Sequence, residues 1–123
     1  MINDKIFQMI YDELSKYLPE QWTKLVVYLE HGEASYSYSF YVMKDHQYTK
    51  CFDLPDISED DLLNSFKRIE KEVSEERNHL ETKWSNMTMV INSEGNMKTD
   101  FDYSDLSQGN YEYKEAWKKK YLV

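Results

Sequence analysis

Ser35-Tyr36-Ser37-Tyr38-Ser39-Phe40-Tyr41-Val42 repeats with a period of two, and its reading decides the fold. Successive side chains of a β-strand point to opposite faces of a sheet. The period therefore sets Tyr36, Tyr38, Phe40 and Val42 on one face, and Ser35, Ser37, Ser39 and Tyr41 on the other. An apolar face backed by a polar one is the pattern of a half-buried antiparallel strand.

Outward from this strand, Trp22 to Leu29 is a β-rich apolar run, and Glu30-His31-Gly32-Glu33 supplies the turn between the two. Asp45-His46 marks the next turn, and Tyr48 to Phe52 reads as a third strand. A second hairpin lies further on. Trp84 to Ile91 carries Met87, Met89 and Ile91 on one face, and Ser93-Glu94-Gly95-Asn96 is a turn with glycine available for positive φ. Its return strand sets Met97, Thr99, Phe101 and Tyr103 on one side, with Lys98, Asp100 and Asp102 on the other, outer side.

Helical spacing fills the remainder. Ile6, Met9, Ile10, Leu14 and Tyr17 recur at three and four residues, with Asn3 or Asp4 as N-cap and Pro19 as the stop. Ser58-Glu59-Asp60-Asp61 opens a second helix as an approximate capping box, its acidic residues favoured by the helix dipole. Leu62, Phe66, Ile69 and Val73 form its apolar stripe. A short helix from Tyr111 to Leu122 docks Tyr113, Trp117 and Tyr121 inward, and Lys118, Lys119 and Lys120 suit its C-terminal end. The order is helix, three strands, helix, two strands, helix. It predicts an α+β fold, one domain over residues 1–123, with helices packed on an antiparallel sheet.

Composition bounds the function. The 123 residues are 41% hydrophobic and 15% aromatic, enough apolar volume for a folded core throughout. Asp and Glu number 23 against 15 Lys and Arg, a net charge of −8. That field repels nucleic acid and anionic membranes, attracts basic protein surfaces, and also serves plain solubility. The single cysteine, Cys51, excludes an internal disulfide and reads as a buried small hydrophobe in the third strand. The start Met1-Ile2-Asn3-Asp4-Lys5 lacks a signal-peptide pattern and no run is long enough to span a membrane, so a cytoplasmic location is expected.

Chemistry is sparse. His31, His46 and His79 are scattered and read as solvated, the first two in turns, and no metal, phosphate-loop or nucleophile-elbow motif occurs. No cofactor or metal is expected. Asp100 and Asp102 share a strand face roughly 6.5–7 Å apart, a spacing that would suit a small metal-dependent or carboxylate hydrolase. The competing reading is recognition. Asp100, Asp102, Tyr103, Asp105, Tyr111 and Glu112 combine negative charge with amphipathic aromatic rings, the mixture found at protein interfaces. Strand parity places Tyr103 inward with Phe101, a core position, whereas a contact role needs it outside. Trp22, Trp84 and Trp117 read as structural anchors.

Four stretches in order resemble the YezG-like immunity proteins, bacterial antitoxins against secreted or contact-delivered nuclease toxins. They are Leu18-Pro19-Glu20-Gln21-Trp22-Thr23-Lys24-Leu25, Trp84-Ser85-Asn86-Met87-Thr88, the run from Ser93 through Gly95-Asn96-Met97 and Asp100-Phe101-Asp102-Tyr103 to Leu106, and Trp117-Lys118-Lys119-Lys120-Tyr121-Leu122. The Asn96-Met97 step and the Ser/Tyr-rich second strand depart from the family pattern. The resemblance implies a non-enzymatic protein that binds a cognate toxin, a nuclease with a basic surface, and blocks its active site or an essential surface. It implies no direct contact with nucleic acid or membrane.

Overall fold

The computed structural model describes residues 4–32, 35–106 and 109–123. The elements run α1 (Asp4–Ser15), β1 (Lys24–His31), β2 (Tyr36–Lys44), β3 (Gln47–Lys50), α2 (Glu59–Asn78), β4 (Asn86–Asn92), β5 (Met97–Asp102) and α3 (Tyr111–Tyr121). The five strands form one antiparallel sheet in the order β3-β2-β1-β4-β5. The α+β class and the predicted element order both hold. No helix among the described residues is long and apolar enough to cross a membrane.

The chain divides into two compact units, residues 1–20 with 52–83, and residues 21–51 with 84–123. The first is helical. α1 buries Ile6, Ile10 and Leu14, spaced by four residues along one face. The expected cap Asn3 lies outside the described residues, and Asp4 is the first helical residue. α1 ends at Ser15, ahead of Pro19, because Tyr17 and Leu18 donate to the carbonyls of Leu14 and Ser15 and tighten the last turn. Tyr17, released from the helix, bonds Ser65 Oγ through its hydroxyl at 2.6 Å. α2 starts as its sequence predicts. Ser58 Oγ accepts from the Asp61 amide, and Leu62, Phe66, Ile69 and Val73 are buried, joined by Ser65. Arg68 ties the two helices together by donating through Nε and Nη2 to Glu13 Oε1 at 3.0 and 2.6 Å. That pairing holds the Glu13 carboxyl down at about 2, against its usual 4.5.

The second unit holds the sheet. β1 lies at its centre, and Leu25 to Leu29 are buried on both faces. One face carries Leu25, Val27, Leu29, Phe40, Val42, Met87, Met89 and Ile91, all buried. The other face carries Val26 and Tyr28, against which Trp117 of α3 packs, with Tyr41, Val90, Tyr113 and Tyr121 around them. The Tyr28 and Trp117 rings meet edge to face, centroids 4.9 Å apart. Turn chemistry matches the sequence. Asp45 and His46 both take positive φ between Lys44 and its partner Gln47, and Gly95 does so at +95° in the β4–β5 turn.

Several expectations need correction. β1 runs on through His31, which pairs with Tyr36, so His31 belongs to a strand and not to a turn. The expected turn residue Glu33 lies outside the described residues. His31 is buried, its Nε2 hydrogen-bonded to the Tyr38 hydroxyl and its ring set edge-on to Trp84. β3 ends at Lys50. Cys51, buried as expected, begins a 3₁₀ turn to Asp53. Trp84 and Trp117 are buried, while Trp22 is half-buried ahead of β1.

Candidate functional site

Two of the expected site residues, Asp100 and Asp102, lie on β5 at one edge of the sheet. β5 pairs with β4 only, so its other side is a sheet edge. The alternation along β5 is real, but its polar side is covered. α3 lies over it, and the stripe Tyr113, Trp117, Tyr121 faces the sheet because those positions recur every four residues. The indole of Trp117 donates to Thr88 Oγ1 at 2.9 Å, and Thr88 donates in turn to Asn86 Oδ1 at 2.8 Å. Asn86 Nδ2 completes the chain at the Leu29 carbonyl, 3.3 Å away.

Asp100 and Asp102 therefore sit under α3, not on a solvent face. The Tyr121 hydroxyl donates to Asp100 Oδ2 at 2.8 Å, and the Tyr113 hydroxyl donates to Asp102 Oδ2 at 3.1 Å. Asp102 Oδ1 accepts from both the amide and the hydroxyl of Ser104, at 2.8 and 2.6 Å. The Ser104 hydrogen bonds lower the Asp102 pKa, with Tyr113 adding to the effect. Burial raises the Tyr113 phenol, helped by the Asp102 charge. Burial together with the Asp100 hydrogen bond pushes Tyr121 up to about 12. At neutral pH the carboxylate of Asp102 is charged and both phenols keep their protons. A glycosidase-type acid requires a carboxyl raised toward neutrality, and Asp102 moves the other way. Among the described residues no group of three or more His, Cys, Asp or Glu side chains is placed to hold a metal ion.

Between β5 and α3 lies a cleft of about 290 Å³. Asp100, Asp102, Phe101, Tyr113, Trp117, Lys120 and Tyr121 line it, with Asn86 and Ala116. The other expected residues stand outside its walls. Tyr103 lies beyond β5 and is 57% exposed, so the inward position suggested by strand parity is wrong: the strand ends at Asp102 and parity lapses with it. Asp105 is exposed in the following loop. Tyr111, 75% exposed, and Glu112 begin α3. Phe101, on the opposite side of β5 from the two aspartates, is 39% exposed and approaches Trp84 with centroids 6.1 Å apart.

Tyr113, Tyr121 and Lys120 were not candidates on sequence grounds. The four-residue spacing marks Tyr113 and Tyr121 as inward, yet nothing local says which strand they meet. Asn110 is another such residue. It is the N-cap of α3, but its side chain makes no capping hydrogen bond and instead donates to both oxygens of Glu30 at 2.9 Å. Tyr28 donates to the same carboxylate, so the approach to α3 is pinned to β1.

A family model for immunity proteins, described as YezG-like, matches residues 3–123. The chain is 26% identical to the immunity protein YezG of Bacillus subtilis (strain 168), covering 95% of this chain and 85% of that protein. It is 25% identical to the immunity protein YezG of Bacillus spizizenii, covering 82% of this chain and 68% of that one.

Proposed function

Since this chain belongs to the YezG-like immunity proteins, we propose that it is an antitoxin, acting as one immunity domain over residues 1–123, that binds a cognate toxin domain in the cytoplasm of the producing cell and covers its active site or an essential surface. The toxin is a nuclease. Nuclease clefts are basic because they hold phosphates, and a partner with a net charge of −8 is drawn to such a surface. Inhibition is stoichiometric and involves neither turnover nor direct contact with nucleic acid.

The family match along nearly the whole chain carries this reading. The contact surface is the β5 edge and the start of α3: Asp100, Asp102, Tyr103, Asp105, Tyr111 and Glu112. Exposed tyrosine beside carboxylate supports it, since large amphipathic rings supply contact area at low entropic cost.

Co-expression with the cognate toxin domain tests the function. Growth should be restored, and the two chains should copurify in equal amounts. Absence of both rescue and complex would remove the proposal.

A further inference from the structure

We propose that the cleft between β5 and α3 receives the guanidinium group of an arginine presented by the toxin, with Asp100 and Asp102 as its acceptors and the rings of Tyr113 and Tyr121 as its walls. The proposal rests on the antitoxin reading above and names the partner chemistry of that same edge.

Geometry provides the first argument. Asp100 and Asp102 lie on one face of β5, roughly 6.5–7 Å apart along the strand. Tyr113 and Tyr121 stand two turns apart on the facing side of α3, and each hydroxyl engages a single oxygen of one carboxylate. The tyrosines thereby orient the two carboxylates without neutralising them. The space left between strand and helix, about 290 Å³, stays open.

Charge provides the second. Glu13 pairs with Lys16 and Arg68 within 4.0 Å, whereas among the described residues neither Asp100 nor Asp102 has a lysine or arginine in that range. The cation lining the cleft, Lys120, holds its Nζ over the Tyr121 ring at 5.2 Å instead. Two carboxylates at an aromatic-walled opening, both without a cationic partner, are complementary to a cation delivered from outside. Arginine suits this opening better than lysine. Its guanidinium is planar, weakly hydrated, stacks on aromatic faces and presents several donors to separate carboxylate oxygens. Lys120 competes for the same space and must swing aside when the arginine enters.

The test uses the free full-length chain and N-acetyl-arginine N-methylamide as probe, with the citrulline analogue as a neutral control of the same shape. In an NMR titration, the arginine probe should shift the Trp117 indole N–H and the ring signals of Tyr113 and Tyr121, and the citrulline probe should not. Asp100→Asn and Asp102→Asn should each weaken binding roughly tenfold, the scale of a lost charge-assisted hydrogen bond. Each asparagine still offers an oxygen to its tyrosine, so an unchanged thermal midpoint certifies the fold. Lys120→Met should tighten binding. Equal response to citrulline, no response to arginine, unchanged affinity in both asparagine variants, or Mg²⁺ producing the same shifts would overturn the proposal. The titrations need no toxin. Failure of the antitoxin reading would leave them intact, and failure here would leave rescue by co-expression standing.

Discussion

Thr88 is a small residue on which a large one depends. Its hydroxyl accepts from the Trp117 indole and donates to Asn86, in a row of hydrogen bonds closed at the Leu29 carbonyl. Thr88→Val keeps the shape but leaves a buried indole N–H and an asparagine oxygen without this partner. We expect a loss of about 1–3 kcal/mol in urea unfolding, with Thr88→Ser closer to wild type. An unchanged midpoint for Thr88→Val would mean that Trp117 is held by packing alone. Single residues were also where sequence reading was weakest. His31 has the neighbours of a turn residue, Glu30 and Gly32, yet it is buried among Tyr38 and Trp84 from elsewhere in the chain. Tyr103 keeps the alternation of the strand before it but lies past the last paired residue. Neither outcome is encoded within a few residues of the position.

Whole elements were far more legible, because periodicity integrates over many side chains. The alternation of Tyr38, Phe40 and Val42 and the stripe from Leu62 to Val73 both predict which side is buried. Periodicity does not say what covers a face, so Asp100 and Asp102 read as solvent-facing until α3, nine residues further on, is seen lying over them. Between α1 and α2 the decisive link is again non-local, the Arg68–Glu13 pair. Its sign follows from the carboxyl. Glu13 sits at about 2 when folded against 4.5 unpaired, so its stabilising contribution is complete above 4.5 and is lost as pH falls through that window to about 2. Glu13→Gln should therefore flatten the fall in thermal midpoint over that range while lowering the midpoint near neutrality. Parallel pH curves for the two proteins would refute the assignment. The effect should be modest and salt-sensitive, since the Arg68 side chain is 54% exposed.

At the scale of the molecule the dominant quantity is the net charge of −8. If it steers the chain to a basic toxin, the association rate should fall steeply as ionic strength rises, with dissociation much less affected. Stopped-flow rates that ignore salt would assign the acidity to solubility alone. The division of the chain has a consequence of another kind. Each compact unit is assembled from two separate stretches, and the sheet needs strands from both sides of α2. Translation delivers the chain from its N-terminal side, so β1, β2 and β3 wait through the making of α2 before β4 can pair with β1. The cleft waits longer still, since α3 follows every strand. A nascent chain stopped before Tyr111 would carry the aspartates but no tyrosine roof. If this edge binds the toxin as proposed, a premature stop that spares every strand but removes α3 should abolish protection in the co-expression assay.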